Sequence, residues 1–201
     1  AYSSEEGEFE RCLKHNEDPR SPFEPEYPST DAGLNKWNWD TRREGFHCVQ
    51  DMTLFAGLEG AHVPPGQYAA RIKAGTDSQE VSFTLEMDPR YTATPAQISE
   101  WAARMEETSV LLENVLTGLG DLRKSRLEVV ALMADYPQDA SLRETGQKAL
   151  DAIDAWDHQV IQPLHETVED EDAWETMLAG QIRFLLDVID ELAREHGIPL
   201  V

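Results

Sequence analysis

Two alternating runs of apolar and polar residues lie back to back near the middle of the chain. In Gln67–Ala74, Tyr68, Ala70 and Ile72 fall on one side and Arg71 and Lys73 on the other. In Gln79–Met87, Val81, Phe83, Leu85 and Met87 alternate with Glu80, Ser82, Thr84 and Glu86. A period of two sends successive side chains to opposite faces of a strand. Gly75-Thr76-Asp77-Ser78 supplies turn residues between the runs, so together they predict an antiparallel hairpin with one apolar and one wet face. Asp88-Pro89 stops the second run, and the period then changes. Thr94-Pro95-Ala96-Gln97 is a helix start: Thr94 can cap, Pro95 fits the first helical position, and Gln97 can reach back in a capping box. Ile98, Trp101, Met105, Leu112, Val115, Leu116, Leu119 and Leu122 recur at three- and four-residue spacing. The stripe continues through Val129, Val130 and Met133 to a stop at Tyr136-Pro137. A helix of about 40 residues would span about 60 Å.

A second helix is expected from about Ala140 to Glu166, with Leu142, Ala149, Leu150, Ile153, Trp156, Val160, Ile161 and Leu164 as its stripe and Pro163 disturbing its last turn. A third follows the acidic Asp170-Glu171-Asp172, which suits a helix N-terminus, with Trp174, Met177, Leu178, Leu185, Val188, Ile189 and Leu192 as its stripe and Gly197 as its stop. Three stripes joined by short loops predict an antiparallel bundle. Upstream, Asn35–Asp40 alternates cleanly, with Trp37 and Trp39 on one face, and Cys48–Phe55 and Ala1–Ser4 are further candidate strands. Residues 1–33 are rich in proline turns, which favour an extended segment over helix. The organisation expected is α+β, all-β then all-α: a sandwich-like β domain over residues 1–90, lacking upstream strands, and a helical bundle over 91–201, cut short at its C-terminal end.

Charge narrows the partners. The chain of 201 residues carries a net charge of −22, with 9 basic and 17 acidic side chains in residues 1–90 and 8 and 22 in the rest. Such a surface repels phosphate backbones and anionic membranes, so nucleic acid is not an expected partner. No run of 18 apolar residues occurs, so no membrane span is expected. The first residues, Ala-Tyr-Ser-Ser, and the last, Ile198-Pro-Leu-Val201, read as cuts in a longer chain. The two cysteines, Cys12 and Cys48, are either a disulfide closing about 36 residues, worth about 4 kcal/mol by chain entropy, or two free thiols. The disulfide reading points to an exported protein.

Candidate chemistry is sparse. None of the six histidines stands in a metal-ligand motif. His158 and His165 share a helix face, but about 10.5 Å apart along the axis they cannot share one ion. Asp154 and His158 are spaced for a surface pair. Glu169-Asp170-Glu171-Asp172 lacks the glycine and the spaced oxygens of a calcium loop and is better read as the start of a helix. No nucleophile elbow and no phosphate-binding glycine loop occurs. No catalytic residue, metal site or cofactor is expected. Trp37 and Trp39 are either sandwich core or a platform on which a sugar ring stacks, and on the area such side chains bury, core is the first expectation.

Three segments carry a family likeness. Gly33-Leu34-Asn35-Lys36-Trp37-Asn38-Trp39-Asp40 with Arg42, Pro65-Gly66-Gln67-Tyr68 with Ala69-Ala70-Arg71-Ile72, and Phe83–Arg90 ending in Asp88-Pro89-Arg90 resemble the C-terminal region of large secreted bacterial β-propeller proteins with sortilin/VPS10-like or sialidase-type BNR repeats, often labelled glycosyl hydrolases. Cys12 and Cys48 fit a subset of that group. The resemblance implies an immunoglobulin-like antiparallel β-sandwich followed by a long-helix antiparallel three-helix bundle, in a secreted or periplasmic protein. It implies no catalytic residue here, because any such site would lie in a propeller upstream. The expected function is therefore a non-catalytic structural or protein-interaction module whose partner is that propeller or another protein. Alternatives are a carbohydrate-binding accessory module using Trp37 and Trp39, or part of a hydrolase whose active site lies in the propeller. Apolar stripes on long helices also suit a homodimer.

Overall fold

A computed structural model of the chain describes residues 2–5, 27–49, 52, 57–87, 89, 92–162 and 175–195, the last four by backbone alone. Five elements are present among them: strands β1 (Gly66–Ala74) and β2 (Asp77–Leu85), and helices α1 (Pro95–Asp135), α2 (Ala140–Val160) and α3 (Leu178–Glu195).

The hairpin forms where the alternation predicts it. β1 and β2 pair antiparallel, with Tyr68 opposite Phe83, Ala70 opposite Val81 and Ile72 opposite Gln79. The turn is only two residues long, and Gly75 takes its first place at φ 58°, a left-handed conformation that glycine adopts at no steric cost.

α1 starts as its sequence dictates. The Thr94 side chain accepts from the Gln97 backbone N–H, the Gln97 side chain accepts from the Thr94 backbone N–H, and Pro95 occupies the first turn. Its buried positions, Trp101, Met105, Thr108, Leu112, Leu116 and Leu119, all lie in the N-terminal part. α2 begins at Asp139, whose carboxylate accepts from the Leu142 N–H, and runs back along the C-terminal half of α1. Its contacts pair Arg123 with Asp157 and Arg126 with Asp154. Near the other end, Gly146 lets Met133 approach so closely that a Cβ there would lie 2.5 Å from the sulfur. These two stretches form a helical arm. α3 packs chiefly on α1 and only slightly on α2.

The main hydrophobic core is shared between segments far apart in sequence. Phe46, Val49, Met52, Leu58 and Ala61 come from the stretch 41–63. They meet Trp101, Met105, Leu112, Leu116 and Leu119 of α1, Val160 and Ile161 at the end of α2, and Ala179, Ile182 and Leu186 of α3. The stretch 41–63 folds back on itself through three backbone bonds: Arg43 N–H to Ala61 O, Phe46 N–H to Leu58 O, and Val63 N–H to Thr41 O, each 2.9 Å. Gly60 is required there, since a Cβ would sit 2.3 Å from the Glu44 carbonyl oxygen.

This architecture corrects the expected one. The chain is not an immunoglobulin-like sandwich followed by a three-helix bundle. The described residues hold one two-stranded sheet and three helices, with neither strand in contact with a helix. Asn35–Asp40 alternates but is not a strand, and residues 2–5 are not one either. Alternation gives a segment two faces without supplying a partner strand, and Trp39 spends its apolar face on side chains at the hairpin base. The helices do not enclose a common axis, because α1 is long enough to give α3 and the loop its first half and α2 its second. The end of the predicted second helix also moves: α2 stops at Val160, with Ile161 extended at its cap. The Cys48–Phe55 strand falls partly, and the segment 6–26 wholly, outside the described residues.

Candidate functional site

Two groups of chemistry-bearing side chains converge. The first is aromatic and lies where residues 37–42 meet the hairpin. The Trp39 ring lies 5.8 Å from Tyr68 and 6.2 Å from Phe83, tilted to the first and edge-on to the second, while Tyr68 and Phe83 stack at 6.1 Å. The Trp39 indole N–H donates to the Arg42 carbonyl at 2.8 Å, and the Tyr68 hydroxyl donates to the Pro64 carbonyl. Burial pushes the Tyr68 phenol up, and the positive charge of Arg43 opposes the shift. Trp37 stands apart, 5.1 Å from Tyr2, whose hydroxyl donates to Asp40. Burial raises the Tyr2 phenol, and the Asp40 carboxylate raises it further. No ring contact joins Trp37 to Trp39. The two indoles expected to share a face therefore serve different aromatic neighbours, and only Trp39 ties the hairpin base to residues 37–42.

The second group is ionic and lies where the 41–63 stretch meets α3. Arg183 is 2% exposed. Its guanidinium donates to the Gly57 carbonyl at 3.1 Å and to the Asp187 carboxylate one helical turn on. Arg42 donates to the Gly60 carbonyl at 3.0 Å. With Glu59, His62 and Asp190 these side chains line a polar pocket with room for about one water molecule. A buried guanidinium must be paired and hydrogen-bonded, and here its partners come from the loop and from its own helix. The chemical work this geometry performs is fastening: the cation holds the carbonyl of one segment to the carboxylate of another. The pocket is too small for an organic substrate.

Other expected positions are distributed rather than assembled. Asp154, spaced to pair with His158, instead receives the Arg126 guanidinium at 2.6 Å. That hydrogen bond holds the Asp154 carboxyl below the usual range, with burial opposing it and the Arg126 and His158 charges adding to it. Cys48 is partly buried against the core and is disulfide-bonded. Cys12, His165 and Glu169–Asp172 lie outside the described residues. Among the described residues no three His, Cys, Asp or Glu side chains converge as metal ligands, and no helix is long and apolar enough to cross a membrane.

Sequence reasoning did not find Arg183. The only signal was a charge pattern on α3, Arg183 with Asp187 at i+4 and Asp190 at i+7, interrupting an apolar stripe. Comparison with known protein families, curated proteins and solved structures finds no match.

Proposed function

We propose that this chain is a non-catalytic structural or protein-interaction module of a secreted or periplasmic protein. The observation that carries the reading is the hairpin: among the described residues it touches no helix, and its apolar face stays open, with Ile72 72% and Val81 64% exposed. The helical arm adds Leu127, Val130, Leu132 and Tyr136, all exposed beyond the reach of the core. Apolar side chains grouped on elements outside the core are a feature of surfaces that bind other proteins. The hairpin is also free of the net charge that dominates the molecule. The hairpin 66–85 is neutral, Arg71 and Lys73 balancing Asp77 and Glu80, in a chain at −22. Depletion of net charge with retention of aromatic and aliphatic groups is the composition of interface cores. The bonded state of Cys48 and the likeness of the three segments to secreted propeller proteins support the oxidising compartment.

The reading is tested with the purified chain on panels of glycoside and peptide substrates, together with a thiol count on non-reduced protein. No turnover and no free thiol is the expected pair of results. Hydrolysis that persists through repurification and tracks the chain overturns the non-catalytic part, and two titratable thiols overturn the oxidising compartment.

A further inference from the structure

We propose that the open edge of β1 accepts an extended strand from a partner polypeptide, one that alternates apolar with acidic side chains. The inference rests on the reading of the chain as an interaction module and names the surface and the partner's chemistry.

The sheet has two strands of nine residues, and among the described residues each leaves a row of backbone N–H and C=O groups without a ladder partner. A two-stranded hairpin is at best marginal in water, and a third strand beside an apolar face is what makes such a unit stable. Here the base is anchored by Trp39, Tyr68 and Phe83, but the outer half has no cover. Adding a strand uses main-chain hydrogen bonds for affinity and alternate side chains for specificity.

The charges choose between the two edges. β1 carries Arg71 and Lys73 on its wet face, where β2 carries Glu80; Asp77, opposite Ala74, falls on the other face with Val81. Arg71 is already paired across the hairpin with Glu80 at 2.6 Å, whereas Lys73 lies opposite Ser78 and has no ion pair among the described residues. A strand beside β1 would bring its own apolar residues next to Tyr68, Ala70 and Ile72 and place an acidic residue within reach of Lys73. Opposite charges on neighbouring strands stabilise such pairing and like charges oppose it. The same acidic strand beside β2 would bring its carboxylates alongside Glu80 and find no cation of β2 on that face.

The test titrates the whole isotope-labelled chain with three synthetic peptides of nine residues: one alternating Val with Glu, one alternating Val with Lys, and a scrambled Val/Glu peptide. The Val/Glu peptide is expected to shift the amide signals of residues 66–85, to slow their hydrogen exchange, and to bind more tightly than the other two. Ile72→Lys is expected to weaken it by about tenfold or more, the loss of roughly one buried aliphatic contact. Lys73→Glu is expected to reverse the preference between the Val/Glu and Val/Lys peptides. Both side chains are exposed, so the amide spectrum outside the hairpin should stay unchanged. The proposal is overturned if no peptide perturbs residues 66–85, if the scrambled peptide binds equally well, or if Lys73→Glu leaves the preference as it was. A chain that binds none of them yet turns over no substrate ends this proposal and leaves the module reading standing. A chain that binds the strand and also hydrolyses a substrate does the reverse.

Discussion

Arg183 is the residue on which the largest cost concentrates. It is 2% exposed and joins the loop carbonyl of Gly57 to Asp187 on α3. Removing one partner of a buried pair typically costs about 3–5 kcal/mol, because the other is left without its counter-charge. The Asp187 side chain keeps 34% exposure, so water takes over part of that role, and Arg183→Met is expected to cost about 2–3 kcal/mol. Urea unfolding would show the loss as a lower midpoint at unchanged slope. Arg183→Lys should recover less than half of it, since an ammonium cannot reproduce the planar fork. Two glycines give predictions of opposite sign. Gly60→Ala drives a methyl into the Glu44 and Arg43 carbonyls and should lower the thermal midpoint markedly. Gly118 lies inside α1 with nothing within 4 Å of an added Cβ, so Gly118→Ala should stabilise by about 0.5–1 kcal/mol through helix propensity alone. A neutral or stabilising Gly60→Ala would show that the 41–46 and 58–63 backbones do not approach as described.

At the scale of elements, local rules were legible and pairing rules were not. The Thr94–Gln97 box and the hairpin follow from residues within a few positions of one another, and each forms where its pattern predicts; the Asp139 cap is equally local. The partners of those elements depend on contacts across the chain. Phe46, Val49, Met52, Leu58 and Ala61 supply much of the core from a stretch with no period, so no hydrophobic pattern announced them. On α3, the predicted stripe included Leu178 and Leu185, which are exposed, while Ala179, Ile182 and Leu186 are buried together with Arg183 and Asp190. Two buried charges displaced the apparent apolar face. The Trp37/Trp39 face was misassigned for the same kind of reason: Trp39 found Tyr68 and Phe83, and Trp37 found Tyr2. The arm between α1 and α2 adds a pH prediction. Arg126 lowers the Asp154 carboxyl below its ordinary value. The stabilisation is then fully present above the unfolded carboxylate value, about pH 4, and is lost as pH falls through the depressed folded value. Hydrogen exchange along α2 should accelerate in that acid range before the N-terminal half of α1 responds. Asp154→Asn should remove part of the dependence, and identical acid profiles for mutant and parent would show that the pair contributes nothing.

For the whole molecule the deciding quantity is the balance between a large like-charge excess and a few specific pairs. A net charge of −22 repels itself in the compact state more than in the unfolded chain, where the charges lie farther apart. Against it stand exposed ion pairs such as Arg71–Glu80 and Lys148–Glu144, each worth at most about 1 kcal/mol. Salt weakens both terms. Raising ionic strength from about 0.01 M to 0.15 M shortens the screening length from about 30 Å to 8 Å, which removes the many repulsions spread over the surface while close pairs, especially the part-buried Arg123–Asp157, are screened less. The excess should win, and the thermal midpoint should rise with salt, by about 2–4 °C for each kcal/mol relieved in a chain of this size. The experiment needs the protein oxidised. Cys48 is disulfide-bonded, and a bridge closing about 36 residues, as expected from the sequence, would contribute about 4 kcal/mol, so reduction should lower the midpoint. Calorimetry in a salt series, with and without reductant, separates the two effects. A midpoint that fell with salt in the oxidised protein would mean that specific pairs outweigh the net charge, and would make Arg123 and Arg126 the first residues to replace.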